Sequence, residues 1–301
     1  MTPEQITAAQ AFNAGKKAPP LWPGNTSGSD FARITARFQR AAGLDPDGKF
    51  GKNTQAAYDA VEALPKPVNY IIADGHRYPV AVPVFTWEQD PFWSSYPGGN
   101  FGWRKSEKVE VFVLHWDVTF SARQTHKGLL KPERDASVQF LIDEAGQIIQ
   151  CLDAGFVRAW HAGSAGDIND RSCGVEINNR YYPADNGKQG TKVRPVIKDR
   201  PVNGNMRAEY MDFLEPQKLA ALQLAEALRN IFGFPRQIPK APEFSSSWAG
   251  DDKDPDGAVL RGMLDKESVY AFQGTGGHFH YAEGKVDPGV ALFEPFLAAG
   301  W

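Results

Sequence analysis

The sequence predicts an α/β domain, a mixed central sheet flanked by helices, preceded by a small all-α unit. Three observations predict it. The near-continuous β-branched and aromatic run VEVFVLHWD has the composition of a strand buried on both faces. Short strand-like runs then alternate with one long amphipathic helix, EPQKLAALQLAEALRNIFG, the pattern of an α/β domain. Ahead of both, two helical patterns flank a glycine-rich turn within residues 1–65.

The first helix is read from DFARITARFQRAAGL, where Phe31, Ile34, Phe38 and Leu44 recur at helical spacing between an Asp30 N-cap and a Gly43 stop. DPDGKFGKNTQAAYDAVEAL then predicts a turn through Asp47 and Gly48, an apolar Phe50, and a second helix capped near Asn53 or Thr54. Residues 66–105 read as a linker. VNYIIADGHRYPVAVPV suggests a β-hairpin about Asp74–Gly75, the rest is dense in Pro, Gly, Trp and Ser, and His76 reads as solvent-facing. A linker there predicts that the helical unit is separable from residues 106–301.

The strand VEVFVLHWD ends with His115, a residue type that is more often structural than metal-bound in such a place. ASVQFLIDEAGQIIQCL predicts two short strands about Glu-Ala-Gly, and RSCGVEINN a further strand. Its Glu176, between Val175 and Ile177, is expensive to bury without a partner. In the long helix Leu219, Leu222, Ala225 and Leu228 form an apolar face that ends at Gly233. Residues 181–213 and 238–265 read as insertions near the cleft, and the charged patch at Lys198 as a solvated face.

Composition narrows the function. The chain has 301 residues, 42% of them hydrophobic, enough for one large or two unequal domains. A formal charge of -3, from 33 basic against 36 acidic residues, lacks the basic excess that nucleic acid or an anionic membrane requires. No apolar run approaches the roughly 20 residues of a membrane helix. MTPEQITAAQ has neither a basic n-region nor an apolar h-region, so cytoplasmic synthesis without a standard export signal is expected. Cys151 and Cys173 sit in apolar stretches and read as buried free thiols.

The stretch GGHFHYAEGKVDPG, Gly276 to Gly289, concentrates chemistry-bearing side chains. Catalytic zinc takes three protein ligands and keeps a fourth position open. His115, His278 and Asp287 supply such a set, with Lys285 placed to stabilise charge on a substrate oxygen. Read from residue types alone, a solvated loop accounts for the cluster equally well.

Two resemblances sharpen these readings. FQRAAGLDPDGKFGKNTQAA, with Gly48, Phe50, Gly51 and Thr54 in register, resembles the three-helix peptidoglycan-binding module. That resemblance implies a wall-binding unit over residues 1–65, with Gly48, Phe50 and Thr54 as wall-binding residues. Over about residues 109–293, VLHWD, SVQFLIDEAG, WHAG, SCGVEI and GHFHYAEGKVDPG resemble the zinc N-acetylmuramoyl-L-alanine amidases related to phage lysozyme-type amidases and peptidoglycan recognition proteins. The resemblance implies one Zn2+ per chain on His115, His278 and Asp287, with Glu176 as general base, Lys285 beside it, and Trp160, His161 and Asn169 lining the substrate groove. His280, two residues past His278, is set aside because His278 directly follows Gly277 at the motif position. Ser137-Val138-Gln139 stands where many relatives have Ser-Tyr-His or Ser-Ala-His, so the tyrosine of some phage enzymes is missing and the demand on Glu176 rises. The implied partner is bacterial peptidoglycan, handled by a monomer that binds neither nucleic acid nor membrane. A phage endolysin released through a separately made membrane hole is the implied role. A secreted antibacterial toxin and a recognition protein that binds muropeptides without cutting them are the alternatives.

Overall fold

A computed structural model describes the chain except residues 20–21, 23–27, 97–99, 132, 164–166, 199–200, 205–208, 242 and 249–258. Three helices come first: α1 (Pro3–Asn13), α2 (Ser29–Ala41) and α3 (Lys52–Ala63). The sequence reading began at α2 and missed α1, which buries only Ala9 and Asn13 and so carries no apolar stripe. Its start is fixed by a capping box, in which the Thr2 hydroxyl accepts from the Gln5 amide and the Gln5 side chain accepts from the Thr2 amide. α2 starts after Gly28 rather than Asp30, and α3 after Gly51 rather than near Asn53 or Thr54, whose hydroxyl turns inward to the Gln39 amide.

Residues 70–79 form the expected hairpin, β1 (Tyr70–Ala73) with β2 (His76–Pro79). The segment is more than a linker. It also supplies β3 (Val84–Thr86), the outer strand of the central sheet, and β4 (Phe101–Trp103). There follow β5 (Val111–Trp116), α4 (Ala122–Leu129), β6 (Phe140–Ile142), β7 (Ile148–Gln150), β8 (Val157–Ala159), α5 (Ile168–Arg171) and β9 (Ser172–Ile177). β10 (Val196–Ile197) and β11 (Tyr210–Met211) pair inside the first insertion, then come α6 (Glu215–Phe232), α7 (Lys266–Ala271), β12 (Gly274–Gly277) and α8 (Glu294–Ala298). Lys198 is paired with Glu209 at 2.7 Å, while parts of both insertions lie outside the described residues.

The six-stranded sheet has the order β12-β5-β9-β6-β7-β3, parallel except for the β6–β7 pair. Side chains on a strand alternate between faces. On β9, Cys173, Val175 and Ile177 join Phe112, Leu114 and Trp116 of β5 in the core that includes Leu224 and Leu228 of α6. The other β9 face carries Ser172, Gly174 and Glu176. The same alternation puts His115 and Glu176, Cα partners in the β5–β9 register, on one side at the carboxyl ends of parallel strands, where α/β sheets bind ligands.

The helical unit is not set apart from the sheet domain. Trp22, Phe31, Ile34, Phe38, Phe50 and Tyr58 share one buried cluster with Leu152, Phe156, Val157 and Ala159. Arg37 pairs with Asp74 at 2.6 Å across the same junction. His76, expected to face solvent, stacks on Phe38 with ring centroids 4.5 Å apart, and burial lowers its pKa despite a bond from Nδ1 to the Asp74 carbonyl. Cys151 and Cys173 are buried free thiols. Among the described residues no helix is long and apolar enough to cross a membrane.

Candidate active site

Above the carboxyl ends of β5 and β9 lies a cavity of about 960 Å³, bordered by His115, Glu176, His278, Lys285 and Asp287. β12 positions the second histidine: it runs beside β5, pairs Gly277 with Leu114, and delivers His278 at its end. A Cβ on Gly276 would meet the Tyr281 hydroxyl at 2.4 Å, and one on Gly277 the Phe279 ring at 2.7 Å, so the glycines let the following turn fold back. That turn returns Asp287 to the strand ends.

Asp287 Oδ2 lies 3.2 Å from His115 Nδ1 and 3.0 Å from His278 Nδ1, and the three donor atoms fall within 4.8 Å of one another. All three residues are buried. Burial, then the neighbouring His278, lowers the His115 pKa to about 4. Burial pushes the Asp287 carboxyl up, but the two imidazoles outweigh this and hold it below the usual carboxylate range. The cluster at neutral pH is therefore an ionised carboxylate facing a neutral His115. Two imidazole nitrogens and one carboxylate oxygen, converging on a cavity with room for a water, form a group that could hold a metal ion.

Glu176 lines the same cavity, and its Oε2 is buried without a hydrogen-bond partner among the described residues. Burial, then the facing Asp117 and Asp287 carboxylates, raise its pKa well above the carboxylate range, partly offset by Arg134 and Lys285. Lys285 is exposed on the cavity wall and makes no ion pair among the described residues. A carboxyl with its pKa raised, on a cavity wall that also carries a cation, is a perturbed group of the kind that clusters at functional sites.

Residues 105–290 match the family model described as N-acetylmuramoyl-L-alanine amidase, more than half of the chain. The chain belongs to the N-acetylmuramoyl-L-alanine amidase family. No curated protein matches it. Among solved structures, a selenomethionine derivative of AmpD is 17% identical, with a TM-score of 0.35, over 66% of this chain and 91% of that one. PGRP-Hd from Alvinella pompejana is 16% identical, with a TM-score of 0.31, over 52% and 83%. The Ph2119 endolysin from the Thermus scotoductus MAT2119 bacteriophage Ph2119 is 12% identical, with a TM-score of 0.34, over 70% and 97%.

Within the amidase domain the other predicted residues separate by role. His280 is fully buried with both nitrogens engaged, Nδ1 accepting from the Gly277 amide at 2.9 Å and Nε2 bonded to the Leu260 carbonyl at 2.8 Å. His126 lies away from the cavity, bonded to the Trp93 carbonyl. Trp160 and His161 border the cavity, and the Arg158 guanidinium sits 4.2 Å over the Trp160 ring. Asn169 borders it too, but its amide is consumed by the backbone: Oδ1 accepts from His161 and Ala162, and Nδ2 donates to the Gly163 carbonyl. It holds the WHAG loop rather than offering free groups to a ligand. Gln139 is equally occupied, linking the Gly174 amide to the Val157 carbonyl.

The expected wall-binding residues of the amidase are not displayed on a surface. Thr54 is 2% exposed and bonded to Gln39, and Gly48, at φ +73, has no room for a Cβ beside the Ala32 carbonyl. Phe50 is 7% exposed, packs against Trp22, and only borders an open groove formed with Phe12, Lys16 and Lys52. Their regular spacing encodes the packing of the helices. Two polar groups, Asp117 on the cavity wall and Ser172 behind His161, escaped the sequence reading. Asp117 is a half-buried carboxylate bonded by Thr119, Thr125, Asn178 and Asn179, and Ser172 bonds His161. Asp117 stood in the VLHWD run, where its position two residues after His115 was the available signal.

Proposed function

We propose that this chain hydrolyses the amide bond between the lactyl group of N-acetylmuramic acid and the L-alanine of the peptidoglycan stem, with one zinc held by His115, His278 and Asp287. The observation that carries the reading is the convergence of these three donors beside a buried, unpartnered Glu176 Oε2 in one cavity. Their chemistry fits zinc. His115 Nδ1 and His278 Nδ1 face the same carboxylate oxygen, a cluster that a cation completes. Bound zinc would act as a Lewis acid and bring the pKa of water from about 15.7 toward about 7.

The chain's own residues account for the proton traffic. Glu176 Oε2 accepts a proton as water attacks the carbonyl carbon, and returns it to the alanine nitrogen as the C–N bond breaks. A carboxyl whose pKa is raised by burial is suited to both halves, since it holds the proton until the leaving amine needs it. Lys285, on the cavity wall and without an ion pair among the described residues, supplies positive charge to the oxygen that becomes negative in the tetrahedral species.

The intact set of three donors, Glu176 and Lys285 favours an enzyme over a binding-only protein. A helical unit resembling peptidoglycan-binding modules, joined to this domain, supports a phage endolysin acting on the host wall. Digestion of purified wall tests the chemistry: the protein should liberate L-alanine amino termini and no reducing sugars. Glu176→Gln should keep fold, zinc and wall binding while turnover falls about 10²–10⁴-fold, the usual worth of acid–base catalysis. Reducing ends in the wild-type digest would reject the amidase reading, and equal turnover of the variant would remove Glu176 from the reaction.

A further inference from the structure

A hydrogen-bonded file of side chains runs from the backbone to His115 through Ser172 and His161. Ser172 Oγ lies 2.6 Å from the Ile168 carbonyl oxygen and 3.1 Å from His161 Nε2, and His161 Nδ1 lies 3.0 Å from His115 Nε2. A carbonyl oxygen only accepts, and a serine hydroxyl has one proton. Two oxygens 2.6 Å apart require that proton between them, so Ser172 donates to Ile168 and accepts from His161 Nε2–H. Neutral His161 then has a bare Nδ1, which accepts from His115 Nε2–H. The only lone-pair nitrogen left on His115 is Nδ1, the atom that faces Asp287 and His278.

We infer that Ser172 and His161 are positioning residues that fix the tautomer of His115, so that Nδ1 is presented to the metal unprotonated. Two further features are built for this. A Cβ on Gly174 would stand 2.6 Å from His161 Nδ1, so glycine at this β9 position makes room for the ring. The Asn169 amide, by capturing the His161 and Ala162 amides, fixes the backbone from which the ring projects. An outer hydrogen bond of this kind commonly sets both the orientation and the basicity of a ligand histidine.

The inference rests on the ligand reading of His115, and the experiment separates the two. In the full chain carrying ¹⁵N-labelled histidine and loaded with zinc, nitrogen spectra should show protons on Nε2 of both His115 and His161, and none on Nδ1 of either. In parallel, zinc affinity of the metal-stripped protein is read by competition with a chromogenic chelator. His161→Phe fills the space but cannot accept the bond and should bind zinc about 10–100-fold more weakly. His161→Gln, whose side-chain oxygen can accept from His115, should recover most of that loss, which a purely space-filling role for His161 does not predict. Wild-type affinity in the Phe variant, or equal losses in both, would overturn the inference. If the Phe variant does not fold, the wild-type spectrum decides alone: a proton on Nδ1 of His161 overturns the proposal. Failure of the wild type to bind zinc would instead sink the ligand reading of His115 itself.

Discussion

Truncating Phe156 to alanine tests whether the N-terminal helices and the sheet domain unfold together. Phe156 belongs to the sheet domain by sequence, yet its ring is fully buried and meets Trp22 edge-on at 5.9 Å within the cluster shared with Phe31, Phe38 and Phe50. Removing a buried phenylalanine costs about 3–5 kcal/mol, the higher values where neighbours cannot collapse into the space. The Gly75 turn lies close against the ring, since a Cβ there would be 3.3 Å from two of its atoms, and Asp153 holds that turn by accepting from the Asp74 and Gly75 amides. Relaxation from that side is restricted, so the middle of the range is expected, about 4 kcal/mol. Domains of ordinary stability have about 5–15 kcal/mol in total. Urea unfolding followed by far-ultraviolet and near-ultraviolet circular dichroism should show one transition in the wild type and one, shifted to lower urea in both signals, in Phe156→Ala. Two separate transitions, or a loss below about 1 kcal/mol, would refute the shared core. The same reasoning predicts that removal of residues 1–65 leaves an aggregating or loosely packed remainder, contrary to what a bare linker implied.

His278→Ala should lose zinc by metal analysis, whereas His280→Ala should retain it and lose roughly 1–3 kcal/mol of stability, because two buried backbone groups lose their partner. Chelation should lower the unfolding temperature and added zinc restore it, since a ligand at a thousandfold excess over its Kd stabilises by about 4 kcal/mol. Glu88 is buried against Arg77 at 2.6 Å and accepts from the Tyr70 hydroxyl at 2.8 Å; burial raises its pKa, but these partners outweigh burial and leave it below its ordinary value. A depressed folded-state pKa contributes stability above the unfolded value of about 4.3 that is lost as pH falls through the folded one, so the deficit of Glu88→Gln in urea midpoint should shrink between pH 7 and pH 3.

What could be read from the sequence was what obeys a local rule. The register that places His115 and Glu176 side by side follows from period-two alternation in two strands, visible in VEVFVLHW and SCGVEI. α6 and its Gly233 terminus follow from helical spacing and the left-handed stop, seen at φ +82, although Leu219, read as part of the apolar face, is exposed. α1 buried too little apolar surface to leave a pattern, and β3, three residues long, takes its place in the sheet from pairing with β7 rather than from any periodicity of its own. The bond from Ser172 to His161 joins residues from a strand and a loop, and no spacing rule encodes it.

Glu176 shows how a failed local expectation can mark the site. A carboxylate on an otherwise apolar strand demands a partner, because burying it unpaired costs several kcal/mol. Val175 and Ile177, the neighbours that made it look buried in the core, point to the opposite face of β9 and pack there. Glu176 itself opens on the cavity, with Oε2 lacking a partner among the described residues and two further carboxylates, Asp117 and Asp287, raising its pKa. Several polar groups of the surrounding structure are committed elsewhere, Asn178 to Asp117, Asn169 to the WHAG backbone and Gln139 to Gly174, while Arg134 and Lys285 act on Glu176 through their charge. An acceptor left bare on a cavity wall is open to something that arrives from outside. Under the proposed function this is the water and its proton. Replacing Glu176 by an isosteric amide should then relieve the buried-carboxyl cost as it lowers turnover, so Glu176→Gln is expected to be at least as stable as the wild type in urea. A clear loss of stability would show that the carboxylate has a structural partner after all.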